Sequence, residues 1–121
     1  MKSRDTLIRL KRFQVDEKKR RLRQIETMTA EFNRMIADLD REIGNEEKRA
    51  GISDPSHFAY PTYARAAAGR RDNLKSSIAE LAAQMDDAKA ALEESQAELQ
   101  KLESLDGREK NAERPAEVAR L

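Results

Sequence analysis

Residues 22–43 read LRQIETMTAEFNRMIADLDREI. Within them a set of mainly apolar residues recurs at alternating steps of three and four, and the same spacing extends back to Ile8. Eight of the eleven positions are apolar; the eleven are Ile8, Lys11, Val15, Lys18, Leu22, Ile25, Thr29, Phe32, Ile36, Leu39 and Ile43. The average step of about 3.5 residues is that of a coiled-coil seam. The pattern predicts one long coiled-coil helix.

A second seam with the same spacing begins at Leu74. Its nine positions are Leu74, Ile78, Leu81, Met85, Ala88, Leu92, Ser95, Leu99 and Leu102. We therefore predict an all-α fold over residues 1–106, an antiparallel two-helix coiled-coil hairpin that forms a rod. Arm one spans about 4–50, the connector 51–62 and arm two about 63–106. We expect residues 107–121 to be a polar, frayed tail, because Gly107 and Pro115 disfavour helix.

The pairing of the two arms can also be predicted, since facing residue numbers in an antiparallel pair have a constant sum. The best apolar match sets Ile43 opposite Leu74 and Ile25 opposite Leu92. A neighbouring register would set Leu39 against Arg71 and matches less well. The predicted register also brings together several polar pairs: Arg12–Glu103, Arg21–Glu98, Glu26–Lys89, Asp40–Lys75, Glu46–Arg71, Lys11–Asp106 and Lys18 along Leu99.

Composition excludes several classes of function. The chain has 121 residues and no cysteine, which excludes a disulfide framework, a thiolate metal site and a cysteine nucleophile. No apolar stretch approaches the roughly 20 residues of a membrane span, and no signal peptide is apparent, so we expect a cytoplasmic protein. The single histidine, His57, has no metal-ligand partner of its own type. With no cleft and no phosphate-binding loop predicted, we expect neither an enzyme nor a cofactor.

The charge is unevenly distributed. Residues 1–23 hold ten Lys/Arg against three Asp/Glu, whereas residues 76–106 hold two against eight. The basic run Lys18–Arg23 could bind an acidic protein surface or nucleic acid, or it could pair across the hairpin. The connector aromatics Phe58, Tyr60 and Tyr63 could anchor a partner, or they could close the hairpin end over Ala50 and Ala67.

Two stretches resemble the FliJ family, the small coiled-coil proteins of the bacterial flagellar type III export apparatus. The first is the basic, Leu-rich opening of arm one, residues 4–17, which read RDTLIRLKRFQVDE. The second is the aromatic connector and restart, residues 54–64, which read DPSHFAYPTYA. Together with the length and the predicted hairpin, the resemblance covers about residues 4–105.

The resemblance implies a non-enzymatic coupling protein, similar to the central stalk of a rotary ATPase. It implies three partners: the export ATPase ring, an export gate protein and substrate chaperones, at the cytoplasmic face of the flagellar base. Any membrane association would be peripheral, through the export apparatus. Carried onto this chain, the ATPase end is Arg9, Arg12, Lys19, Arg20 and Arg23, and the gate end is Phe58, Tyr60 and Tyr63.

Two other interpretations remain open at the level of sequence. The chain could be a structural coiled-coil adaptor that forms homo-oligomers, in which case its mass would depend on concentration. Less consistent with the sequence is a nucleic-acid-binding rod that uses residues 2–23, because no aromatic residues interleave with the basic run for base stacking. We therefore expect no nucleic-acid partner.

Overall fold

The structure, a computed structural model, describes the backbone of residues 2–120 and the side chains of residues 3–111. This part of the chain contains two helices and no strand: α1 is Lys2–Ala50 and α2 is Thr62–Arg120. The predicted all-α class with two long helices is confirmed. The chain divides into two compact units. The terminal unit consists of Met1–Arg23 and Asp86–Leu121, and the connector unit consists of Gln24–Met85.

The predicted seams lie in the interior of the helix contacts. All eleven seam residues of α1 are buried or half-buried, and five of them are fully buried: Ile8, Val15, Ile25, Leu39 and Ile43. All nine seam residues of α2 are likewise buried or half-buried, with Leu81 and Ser95 the most enclosed. A period of about 3.5 residues therefore identified the buried face of each helix correctly.

Within the terminal unit, residues later in α1 contact residues earlier in α2. Arg4 pairs with Glu109, Arg12 with Glu103, and Lys18 with Ser95. Within the connector unit, Asp40 binds Arg71 and Glu42 binds Tyr63. The apolar core of the connector unit consists of Leu39, Ile43, Tyr60, Ala64 and Ala67, against which Ile52, Ala68 and Leu74 pack.

The predicted register is wrong by about one helical turn or more at most of its polar contacts. Asp40 pairs with Arg71 rather than Lys75, and Lys18 with Ser95 rather than Leu99. Lys11 pairs with Glu98 rather than with Asp106. Glu46 pairs with Arg49 of the same helix rather than with Arg71 of α2. The predicted Arg12–Glu103 pair is present, with Nε and Oε1 3.5 Å apart.

Two features of α2 account for the different register. Ala64 and Ala67 are 0% and 3% exposed, and such small side chains allow the helices to approach closely near the connector. Arg71 was counted against this register, but its long stem carries the guanidinium to the helix edge. There Nη1 donates to Asp40 and Nε to Asp72, at 3.2 and 3.3 Å. Arg71 therefore does not disfavour the register in which it lies near Leu39.

The connector begins where Gly51 ends α1. Gly51 has φ of 70°, a left-handed conformation that glycine adopts without strain. The N–H groups of Gly51 and Ile52 both donate to the carbonyl of Glu47, at 2.9 and 3.3 Å. α2 then begins after Pro61, whose carbonyl accepts from the N–H of Arg65 at 3.1 Å. Between the helices the chain forms turns rather than a short helix.

α2 continues past residue 106 to Arg120, into the segment for which the sequence predicts a polar, frayed tail. Two ion pairs support its continuation in the part whose side chains are described. Lys110 pairs with Asp106 one turn earlier at 3.1 Å, and Glu109 pairs with Arg4 of α1 at 2.5 Å. Contacts of this kind offset the low helix propensity of Gly107.

Candidate partner-binding surfaces

The five basic residues predicted to bind a partner all belong to α1 of the terminal unit, and all are exposed. At 3.6 residues per turn they fall within an arc of about 100° on the helix surface. We call this set the basic face; it consists of Arg9, Arg12, Lys19, Arg20 and Arg23. The spacing also brings Asp5 and Asp16 to the same side, where they offset part of the positive charge.

Only part of the basic face is neutralised within the molecule. Arg20 pairs with Glu17 one turn away at 2.7 Å, and Arg12 contacts Glu103 of α2 at 3.5 Å. Arg9, Lys19 and Arg23 take part in none of the ion pairs among the described side chains. Exposed ion pairs of this kind contribute about 0–1 kcal/mol, so the side chains can be redirected to a partner.

Other basic residues of α1 contact α2 within the terminal unit. Lys18 Nζ donates to Ser95 Oγ at 2.6 Å, and Lys11 Nζ forms an ion pair with Glu98. The hydrogen bond from Lys11 and its positive charge hold the pKa of Glu98 below its ordinary value. The pairing with Glu109 raises the pKa of Arg4. Lys11 and Lys18 are thus half-buried on the seam side of α1, where the sequence pattern predicted them.

The three predicted gate-end aromatics have different environments. Phe58 is 96% exposed and stacks on His57, with ring centroids 4.7 Å apart. Tyr63 is 50% exposed, and its hydroxyl donates to Glu42 at 2.8 Å, which raises the pKa of Tyr63. Tyr60 is only 6% exposed and belongs to the core with Ala67. Tyr60 is therefore removed from the predicted binding set, because its ring fills the space above the small alanines.

The turn that carries Phe58 is held by local hydrogen bonds. Asp54 Oδ1 accepts from both the N–H and the hydroxyl of Ser56, at 3.0 and 2.7 Å, and these bonds lower the pKa of Asp54. His57 Nδ1 accepts from the N–H of Ala59 at 3.0 Å. The carbonyl of His57 accepts from the N–H of Tyr60 at 3.1 Å. Phe58 is thus exposed on an ordered turn.

A groove of about 470 Å³ on the connector unit was not predicted. Its walls are formed by Met35, Asp38, Leu39 and Glu42 of α1 and by Tyr63, Arg70, Asn73, Leu74 and Ser77 of α2. Met35 is 49% exposed and lies next to the α1 seam, one residue before Ile36. The position of Met35 beside the seam is the one feature of the sequence that points to this region. The groove itself is lined by both helices, so predicting it required the register of α2 against α1.

No group of three or more His, Cys, Asp or Glu side chains suitable for a metal ion occurs among the residues that the structure describes. Neither helix, over its described length, contains a segment both long and apolar enough to cross a membrane. When the chain is compared with family models, curated proteins and solved structures, nothing matches it.

Proposed function

We propose that this chain is a non-enzymatic coupling protein of the bacterial flagellar type III export apparatus. In this proposal the basic face binds an acidic surface of the export ATPase ring, and the connector contacts the export gate and substrate chaperones. The protein would act at the cytoplasmic face of the flagellar base. The proposal rests on the resemblance of residues 4–17 and 54–64 to the FliJ family, combined with the exposure of the residues it implicates.

The basic face is the observation that carries the proposal. Five basic side chains share one side of α1, and three of them lack an ion-pair partner among the described residues. An exposed, incompletely neutralised positive surface attracts an acidic partner over a distance of about one Debye length, near 8 Å at physiological salt. Such an interaction needs no catalytic cleft.

The gate contact rests on Phe58 and Tyr63 without Tyr60. Phe58 is held on an ordered turn with nearly all of its ring exposed, so binding would bury a large apolar surface without first ordering a loop. Tyr63 adds a ring at the edge of the groove. Aromatic side chains in such positions commonly supply much of the binding energy of an interface.

The test is binding of the purified chain to its cognate export ATPase. The variant Arg9→Glu/Arg23→Glu reverses two charges that take part in no described ion pair. The matched control, Lys101→Glu/Arg108→Glu, makes the same change in net charge at exposed positions of α2 in the same unit. Arg12 is left intact, because Arg12→Glu would place a carboxylate beside Glu103 and disturb the helix pair.

We expect the Arg9/Arg23 variant to bind the ATPase at least about tenfold more weakly, a loss of about 1.4 kcal/mol. The control should bind as wild type does, both variants should keep wild-type helicity, and wild-type binding should weaken as salt is added. Equal binding by wild type and the Arg9/Arg23 variant, or no binding by wild type, would refute the proposal. Salt-sensitive binding to nucleic acid instead would favour the nucleic-acid alternative.

A further inference from the structure

A strip of exposed apolar side chains crosses both helices of the terminal unit and plays no part in the proposed function. Leu7, Leu10 and Phe13 of α1 are 40%, 50% and 62% exposed, and Leu105 of α2 is 41% exposed. Leu7 and Leu105 line one groove of about 320 Å³ between the helices. Large apolar residues exposed side by side commonly mark an interaction surface. We call these four residues the apolar strip.

Cationic side chains border the apolar strip on both helices. On α1, Arg9 lies one turn before Phe13, at the end of the strip that is farther from α2. On α2, Lys101 and Arg108 line a depression together with Leu105. All three cations are exposed and take part in none of the ion pairs among the described side chains. Positive charge is therefore available to an anionic partner at both edges of the strip.

The acidic residues near the apolar strip do not cancel this charge. Two carboxylates lie one turn after members of the strip, and each pairs with a basic residue of the terminal unit: Glu17 with Arg20 at 2.7 Å, and Glu109 with Arg4 at 2.5 Å. Asp5 and Asp16 lie on the side of the basic face, where five cations outnumber them. The surface around the strip is therefore complementary to a negatively charged partner.

We propose that the apolar strip binds an anionic membrane surface. Leucine and phenylalanine bordered by lysine and arginine are the composition of peripheral helices that lie in the plane of the bilayer interface. In that position the apolar side chains enter the acyl region, while Arg9, Lys101 and Arg108 remain among the anionic headgroups. This interaction requires no other protein, so it is independent of the proposed function.

The shape of the apolar strip favours lipid over a folded protein as the partner. From Leu7 to Phe13 the strip turns through about 120° of the surface of α1, at 100° per residue. A fluid lipid layer can follow such a convex surface, whereas a rigid protein would need a cleft that matches it. The strip also lies outside the seam, so binding leaves the contacts between α1 and α2 intact.

The test is co-sedimentation of the purified full chain with vesicles, at constant protein concentration and increasing lipid. One set of vesicles is pure phosphatidylcholine, and the other contains about 30% phosphatidylglycerol as the anionic lipid. We expect half of the chain to bind at about 0.1–1 mM accessible lipid of the anionic vesicles, the range of reversible peripheral binding. Binding to the neutral vesicles should be at least about tenfold weaker, and salt should weaken binding to the anionic ones.

Substitutions assign the binding to the apolar strip and its cations. Phe13→Ser should weaken binding to anionic vesicles at least about fivefold. Met35→Ser is the matched control, because Met35 is also about half exposed but lies outside the strip, in a groove with Asp38; it should bind as wild type does. Lys101→Glu/Arg108→Glu should weaken vesicle binding at least about tenfold. The same variant is expected to keep wild-type binding to the export ATPase, so the two proposals can fail separately.

Fluorescence measures insertion directly, because the chain has no tryptophan of its own. The emission of Phe13→Trp should shift to the blue on anionic vesicles, and lipids brominated in their acyl chains should quench it. Met35→Trp should show neither change. Failure to bind anionic vesicles, equal binding to both kinds of vesicle, or equal losses for Phe13→Ser and Met35→Ser would overturn the proposal. So would bound Phe13→Trp without a blue shift, or Phe13→Ser that weakens binding to the ATPase but not to vesicles.

Discussion

Lys18 Nζ lies 2.6 Å from Ser95 Oγ, and Ser95, at 2% exposure, is the one buried polar residue among the described side chains. Both residues occupy seam positions that the apolar pattern would assign to hydrophobic side chains. The serine hydroxyl has a charged donor, so its burial is compensated. A polar pair of this kind inside a coiled-coil seam favours one register over its neighbours, at some cost in stability.

The first prediction concerns this hydrogen bond. Ser95→Ala removes the acceptor but gains helix propensity, and Ser104→Ala, at an exposed position of the same helix, gains the propensity alone. We expect the free energy of unfolding of Ser95→Ala to be about 1 kcal/mol lower than that of Ser104→Ala. Urea unfolding followed by circular dichroism measures the difference. Equal stabilities would show that Lys18 does not stabilise the seam through Ser95.

A second prediction compares two seam residues of the connector unit. Ile25 is 1% exposed and is the largest side chain that is fully buried, whereas Phe32 is half-buried. We expect Ile25→Ala to lower the free energy of unfolding by about 3–4 kcal/mol and Phe32→Ala by about 2–3 kcal/mol. Phe13→Ala, at an exposed position, is the control and should change it by less than about 0.5 kcal/mol in the monomer. If Phe32→Ala behaves like Phe13→Ala, residue 32 is not in the seam.

The third prediction separates the structural aromatic residue from the exposed one. Tyr60→Ala opens a cavity beside Ala64 and Ala67, so we expect it to lower the free energy of unfolding by about 3 kcal/mol. Phe58→Ala removes a ring that is 96% exposed and should leave the unfolding midpoint unchanged. Thermal unfolding distinguishes the two. Should Phe58→Ala destabilise the fold as much as Tyr60→Ala, the connector would be packed differently from the structure.

A fourth prediction concerns pH. The hydrogen bond from Lys11 lowers the pKa of Glu98, so this pair stabilises the fold above the ordinary glutamate pKa near 4.5. The stabilisation is lost as the pH falls through the lowered pKa of the folded state. Lys11→Met should raise the pKa of Glu98 toward its ordinary value, as measured by carbon-13 NMR titration of the carboxyl group. Asp54, whose pKa is lowered by Ser56, is the internal control and should titrate as before.

Much of the fold could be predicted because the seam depends on local spacing. Positions such as Ile8, Val15 and Leu81 follow from the step of about 3.5 residues, and the end of α1 follows from the need for a left-handed residue at Gly51. Neither inference requires knowledge of the partner helix. The two helices and their buried faces were therefore correctly anticipated.

The register could not be predicted, because it depends on competing contacts along the whole helix pair. Apolar pairing treated Arg71 as a misplaced seam residue, whereas its stem packs at the edge and its guanidinium binds Asp40. The small residues Ala64 and Ala67 contributed little to an apolar count, yet they determine how closely the helices approach and where Tyr60 packs.

The same limitation applied to the candidate surfaces. The residues of the basic face were taken from the family resemblance, and the exposure of Arg9 and Arg23 agrees with their distance from the α1 seam. The groove between Met35 and Tyr63 depends on the register, and so does the burial of Tyr60. A surface built by one helix was predictable, whereas a surface shared by two helices was not.

The central structural claim is that α1 pairs with α2 within the terminal unit, and crosslinking tests this pairing directly. The chain has no cysteine, so Arg12→Cys/Glu103→Cys can be treated with a short bis-maleimide at low protein concentration. The control Arg12→Cys/Lys89→Cys moves the second site by 14 residues, or about 21 Å along α2. Efficient crosslinking within one molecule for the first pair and not for the control is the predicted result. Crosslinks only between molecules, or equal yields for both pairs, would contradict the account.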